Sequence, residues 1–197
     1  MKLYYVPKTR STRPRWMLEE LGIPYELVRL EPGKDTGSAE HLERQPLGHV
    51  PVLEDGPNRV FESAAICLYL ADKYPENKLV PPMGTPERGL VYQWLFFAMT
   101  ELEPPLVALT EARKAGWPGE AAASEARARF AKAVAALEPI LAKRPYLLPS
   151  DFSVADVVVG AVLGWAQAVR LLEGLPAVGA YVSRLLARPA WQRARAD

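Results

Sequence analysis

The chain has 197 residues, enough for one large domain or two small ones, and its 49% apolar content can fill a core. A net charge of +1, from 24 basic and 23 acidic residues, leaves no electrostatic footprint for nucleic acid. One cysteine (Cys67) and two histidines (His41 and His49) exclude a disulfide framework, a Cys-x-x-Cys pair and a thiol metal cluster, and argue against a histidine-rich metal site.

In chain order, residues 2–6 read as a strand, and residues 13–21 as a helix that stops at Gly22 with Pro24 beyond it. Residues 25–30 alternate as a second strand, so this strand–helix–strand unit predicts parallel pairing. A turn-rich loop over 32–37 and a short polar helix over 38–44, with His41 on its surface, come next. Val50-Pro51 then opens an apolar run that the turn Asp55-Gly56-Pro57-Asn58 ends. A second short run, 59–61, breaks into Glu62-Ser63 and an apolar helix to residue 73. The order predicts an α/β thioredoxin-like N-terminal domain, βαβαββα, over residues 1–76. Without a Cys-x-x-Cys, dithiol redox chemistry is closed to it.

A proline-rich linker follows over 77–86, and past it strand signals vanish. Residues 87–197 therefore read as an all-α helical domain. Its expected helices run over 88–109, with a kink or break at Pro104-Pro105, over 121–142, over 154–171 and over 178–187. A loop is expected at 115–119, and a short last helix after Pro189. Ser153 with Asp156 three residues on reads as a capping box, assigned to folding. Cys67, in mid-helix among apolar residues, reads as an inert core thiol. No apolar run approaches the roughly 20 residues that span a bilayer, and the first residues lack a signal-peptide pattern. A soluble cytoplasmic protein with no membrane contact is expected.

Two local patterns suggest a ligand. A proline opening a strand cannot donate to the ladder, so its predecessor keeps free backbone groups. With a cis Val50–Pro51 bond, the Val50 N–H and C=O could face a peptide-like ligand. Glu62-Ser63 stands at a helix start, where N–H groups point at an anion. An extended edge beside an anion hole suits a small peptide with a terminal carboxylate. Lys8, Arg10, Arg13 and Arg15 also gather at the start of the first helix. Each opposes the helix dipole there by roughly 0.3–1 kcal/mol at the surface. They form either a solvated basic face or a seat for an anion, with Arg10 the expected contact.

In this order and spacing the chain resembles the cytosolic glutathione transferases, in their bacterial-type form. The resemblance runs from Met1-Lys2-Leu3-Tyr4-Tyr5 through Arg10-Ser11-Thr12 and Leu18-Glu19-Glu20-Leu21-Gly22-Ile23-Pro24-Tyr25. It continues in the Val50-Pro51 and Glu62-Ser63 elements and ends in Phe152-Ser153-Val154-Ala155-Asp156. It implies an enzyme that takes glutathione as co-substrate, needs no metal, and conjugates the thiolate to small apolar electrophiles in detoxification. It also implies a homodimer. A free thiol has a pKa of about 8.5, so such an enzyme must favour the thiolate with a hydroxyl and a helix N-terminus. By resemblance Ser11 is that hydroxyl, with Thr9 the second choice, Tyr5 the third, and Arg10 beside them. Val50, before Pro51, would pair with the cysteinyl backbone. Glu62 and Ser63 would hold the γ-glutamyl ammonium and carboxylate, and Lys34 and His49 would reach the glycyl carboxylate. Tyr92, Trp94, Phe96, Phe97 and Met99 make one helix apolar enough for a core, a subunit interface and an electrophile pocket, with Trp165 a further pocket candidate. Glu101 would reach a partner subunit's glutathione. Isomerases, dehalogenases and peroxidases share these elements. A non-catalytic scaffold can share the fold, but it has no need of a peptide-binding edge.

Overall fold

The computed structural model describes residues 1–114 and 120–196, so the loop expected at 115–119 lies outside the described residues. The chain divides into two compact units, Met1–Val80 with Ala187–Asp197, and Pro81–Leu186.

The first unit holds β1 (Lys2–Tyr5), α1 (Thr12–Leu21), β2 (Glu26–Arg29), α2 (Ala39–Arg44), β3 (Val52–Asp55), β4 (Asn58–Phe61) and α3 (Ser63–Lys73). Its four-stranded sheet has the order β2-β1-β3-β4. β1 runs parallel to β2, with Leu3 opposite Leu27, and antiparallel to β3, with Leu3 opposite Leu53. This is the thioredoxin-like arrangement. α1 stops because Gly22 takes φ 65°, a left-handed turn that favours glycine, and its amide closes on the Leu18 carbonyl at 3.1 Å. Leu3, Trp16, Met17, Leu53, Ile66 and Leu70 are fully buried. Cys67 is buried among them, and burial pushes its thiol up to about 12, which keeps it inert.

The second unit holds α4 (Pro86–Phe97), a π-helical turn (Ala98–Leu102), α5 (Glu103–Lys114), α6 (Glu120–Ala135), α7 (Glu138–Leu141), α8 (Val154–Ala168) and α9 (Pro176–Leu186). The helix expected over 88–109 is thus two helices joined by a π turn. A proline ring clashes with the carbonyl four residues back, here those of Thr100 and Glu101. The wider turn opens that ladder, and both prolines fall in the first turn of α5, where an amide is expendable. The helix expected over 121–142 also divides, because Pro139 would strike the Ala135 carbonyl in a continuous helix. Glu138 then turns its carboxylate to the start of α9, accepting from the Ala177 and Val178 amides at 2.9 and 3.0 Å. Most of α8 is buried. Among the described residues, no helix is long and apolar enough to cross a membrane.

The last helix, α10 (Pro189–Ala194), was expected with the helices of 87–197 and instead belongs to the first unit. Its Trp191 ring meets the buried Trp16 of α1 edge-on, centroids 4.7 Å apart. Arg188 grips both carboxylate oxygens of Glu20 at 2.6 and 2.8 Å, and Arg193 reaches Glu19 at 2.6 Å. These charged pairs flank an apolar contact, so α10 is held by burial and oriented by its arginines.

Candidate functional site

The loop from β1 into α1 carries Thr9, Arg10 and Ser11. Ser11 occupies the capping position, at φ −61° and ψ −20°, but its side chain makes no capping bond. Its Oγ lies 3.0 Å from Thr9 Oγ1. The Thr9 hydroxyl also stands 2.7 Å from the Val6 carbonyl and accepts the Ser11 amide at 3.3 Å. A hydroxyl has one proton to give. When Thr9 gives it to Ser11, the Ser11 proton is left for an acceptor arriving at the helix start. Ser11 is 1% exposed, Thr9 lies on the surface, and the first turn of α1 contains no acidic residue.

The four cations of this loop part company. Arg10 is exposed. Lys8 and Arg15 border a shallow groove with Arg195, and the Arg15 guanidinium stacks over the Tyr5 ring, 5.6 Å from its centre. Arg13 turns inward, 3% exposed, and its Nη1 donates to Ser63 Oγ at 3.0 Å.

Ser63 is the first residue of α3 and is 5% exposed. Glu62 before it takes φ 71° and ψ 113°, a conformation uncommon for a residue other than glycine, and makes no side-chain cap. The first helical bond joins the Ile66 amide to the Glu62 carbonyl at 2.9 Å, so the amides ahead of it have no helical partner. At α1, by contrast, the Thr12 and Arg13 amides bond to the Thr9 and Arg10 carbonyls at 3.1 and 3.2 Å, and the Arg13 side chain links this start to Ser63.

The third part of the site is the loop before β3. The Val50–Pro51 bond is cis, and Val50 lies beyond the first ladder pair, Val52 with Tyr4. Gln45 shapes this loop. It is 2% exposed, and its Oε1 accepts the Leu47 and His49 amides at 2.7 and 3.0 Å. His41 is buried rather than on the surface. Its Nε2 donates to the His49 carbonyl at 2.9 Å, which requires the proton on Nε2. His41 is on the inner side of α2, its ring centroid 6.5 Å from that of Tyr4, so burial of that helix face overrides the polarity of its sequence.

Two family models match the chain: the glutathione S-transferase N-terminal domain over residues 1–72 and the C-terminal domain over residues 120–184. The chain is 32% identical to Glutathione S-transferase F10 of Arabidopsis thaliana, over 94% of this chain and 92% of that one. It is also 32% identical to Glutathione S-transferase GstA of Escherichia coli O157:H7, over 98% and 96%. The chain belongs to the glutathione S-transferase family. A sphingomonad glutathione S-transferase solved in complex with glutathione superposes with a TM-score of 0.82 at 32% identity, covering 100% of this chain and 98% of that one.

In this glutathione S-transferase family member, Thr9 and Ser11 form one hydrogen-bonded pair, Ser63 is bonded to Arg13 of α1, and His49, Val50 and Pro51 lie in a braced loop. Glu62 sits between them in sequence with its side chain exposed. Lys34 stands apart, 73% exposed and paired with Glu31 at 3.1 Å. Among the described residues, no group of three His, Cys, Asp or Glu side chains is placed to hold a metal. The sequence reading missed three contributors. Arg13 reads in the sequence only as one of four cations forming either a basic face or an anion seat, with Arg10 as the expected contact. Gln45 and His41 act on backbone groups of the loop, and only a glutamine directly behind a short helix hints at that.

Proposed function

We propose that the protein binds glutathione across the starts of α1 and α3 and conjugates its thiolate to small apolar electrophiles. One observation carries this reading: two helix starts, neither capped by a side chain, meet through the Arg13–Ser63 hydrogen bond. Their partial positive charges favour an anion there. In this reading Ser63 and the first α3 amides take the γ-glutamyl carboxylate, and Glu62 takes the ammonium. The Val50 backbone, set by Pro51, pairs with the cysteinyl residue, and His49 and Lys34 serve the glycyl carboxylate. Ser11 donates to the sulfur with Thr9 behind it, and Arg10 adds positive potential at the rim. The thiol proton leaves to solvent. The sulfur then forms a bond to the electrophilic carbon as the bond to the leaving group breaks.

Calorimetry tests the reading. One glutathione per chain is expected, and Ser63→Ala should weaken binding by about 1–3 kcal/mol, the cost of losing a hydrogen bond to a charged group. Unchanged affinity in that variant sinks the assignment. The homodimer reading is supported by Tyr92 and Phe96, which stand one turn apart on α4 and are 38% and 69% exposed. Sedimentation at the mass of one chain, 21.8 kDa, overturns that part.

A further inference from the structure

We infer that the electrophile this enzyme favours joins an apolar ring to a carboxylate, and that the carboxylate seats in the basic groove on the Ser11 side of α1. This rests on the glutathione reading above and narrows its second substrate. Ser11 and Arg15 stand one turn apart on one face of α1, with the Arg15 amide bonded to the Ser11 carbonyl at 3.2 Å. Helical side chains lean toward the N-terminus, so Arg15 leans over the turn that Ser11 opens. Its guanidinium lies over the Tyr5 ring, 5.6 Å from the centre. Val6 and Pro7 add apolar wall to the groove, and Lys8, with Arg195 just past the end of α10, adds cations. All six residues belong to the first unit. Among the described residues that line the groove, none is an acid.

Arg15 has partners of its own. It donates to the Tyr25 hydroxyl, which donates to Glu19 at 2.5 Å, and Arg193 reaches the same carboxylate at 2.6 Å. One carboxylate thus answers two guanidiniums, and Lys8 and Arg195 bring further positive charge to the groove. The Arg195 guanidinium lies over the Trp191 ring, 5.4 Å from its centre. Lys8 takes φ 59°, a left-handed conformation uncommon for a residue other than glycine. Cations braced on aromatic faces lose little freedom when an anion arrives. A carboxylate relieves the repulsion among like charges here, while its ring packs on Val6 and Pro7. A neutral electrophile gains only the apolar contact.

The rival explanation is a solvated basic face. Two chromogenic electrophiles separate the accounts: 4-chloro-3,5-dinitrobenzoate and 4-chloro-3,5-dinitrobenzamide, which share ring and leaving group. With either, the sulfur bonds to the ring carbon that carries chlorine, chloride leaves with the bonding pair, and the thiol proton goes to solvent. Dividing kcat/KM by the rate constant of glutathione with the same compound in buffer removes their intrinsic difference. The wild type should then favour the benzoate by about tenfold or more, as expected for hydrogen bonds to a charged group. Lys8→Asn keeps a residue that tolerates the left-handed backbone. It and Arg195→Gln should each lower the benzoate value by about threefold to tenfold and move the benzamide less than about twofold. Both side chains are exposed, so neither variant should unfold the protein. The double variant should lose the preference. The wild-type preference should also shrink as ionic strength rises from about 0.01 to 0.1 M, which shortens screening from about 30 to 10 Å. Equal acceleration of both compounds, a preference that salt does not reduce, or one that the double variant keeps overturns this inference alone. No glutathione-dependent acceleration of either compound overturns the glutathione reading, and this inference with it.

Discussion

α8 and α3 begin in opposite ways. In the first turn of α8, the buried Asp156 carboxylate accepts from the Leu147 amide at 2.9 Å, the Ser153 amide at 2.9 Å, Ser153 Oγ at 3.1 Å and the Tyr181 hydroxyl at 2.9 Å. Ser153 Oγ in turn accepts the Ala155 amide at 3.3 Å. At α3 the residue before the helix makes no cap, the first turn has no acid, and the partner delivered to Ser63 is a guanidinium. A carboxylate at a helix start answers the dipole from within and closes the site to ligands. The α3 start has no such acid in its own first turn, and in our reading glutathione supplies the carboxylate. One backbone feature thus serves folding in the helical unit and, in our reading, glutathione capture in the thioredoxin-like unit.

The largest effect should come from breaking the closed start. Asp156→Ala strands the Leu147 and Ser153 amides and the Tyr181 hydroxyl, each buried donor costing about 1–3 kcal/mol. A loss of about 3–5 kcal/mol in unfolding free energy is expected, since several stranded donors add to the lost packing. Urea unfolding reads it as a lower midpoint at unchanged slope. Glutathione affinity of the folded fraction should stay as in the wild type. A loss below about 1 kcal/mol would mean that water replaces the network, contrary to its burial.

The start of α1 breaks differently. Ser11→Ala removes the proposed donor to the thiolate and should leave stability nearly unchanged. A donor favours the charged sulfur and lowers its pKa, so its removal raises that value. The pH–rate profile with a chromogenic electrophile should move up by about one unit, worth about 1.4 kcal/mol. The neutral-pH rate then falls by up to about tenfold. Glutathione affinity should change little, because the carboxylate contacts remain. A profile that does not move removes Ser11 from the thiolate.

How far these two starts were legible follows from distance along the chain. The capping box of α8 lies within four residues and declares itself through Ser153 and Asp156. Gly22, the Asp55-Gly56 turn and the alternation of residues 25–30 likewise act on their neighbours, so the sheet and α1 could be read directly. Val50-Pro51 and Glu62-Ser63 read as local patterns too, while Ser11 came from the family resemblance. What completes the site comes from elsewhere. Arg13 reaches a residue 50 positions away, and nothing local separates it from Arg10 or Arg15. His41 looks solvated in a polar segment until packing turns it to the His49 carbonyl. Pro104-Pro105 signals a break, but whether the chain bends or widens into a π turn depends on what packs around it. α10 was assigned by order to the helical domain, and the pairing of Trp191 with Trp16 returns it to the first unit.

The smallest effect sharpens the comparison most, because it separates two hydroxyls 3.0 Å apart. Thr9→Val keeps the shape and removes the hydroxyl. The Val6 carbonyl, 2.7 Å away, competes with Ser11 for the single Thr9 proton, and this stretch is open enough for water to serve that carbonyl instead. Ser11 is 1% exposed, so water cannot readily replace the proton Thr9 offers it. With thiolate bound, Ser11 donates to sulfur and Thr9 donates to Ser11, and each bond polarises the next. Such chains strengthen a bond by roughly 10–30%, and a bond to a charged group is worth about 1.5–3 kcal/mol. Thr9→Val should therefore raise the apparent pKa of the rate by about 0.1–0.6 unit, in the same direction as Ser11→Ala and smaller. In a Ser11→Ala background it should add nothing, since its effect passes through the Ser11 oxygen. A shift as large as that of Ser11→Ala makes Thr9 the thiol's own donor. An equal shift in the Ser11→Ala background means that Thr9 acts on the sulfur independently, and the relay between the two hydroxyls is then wrong.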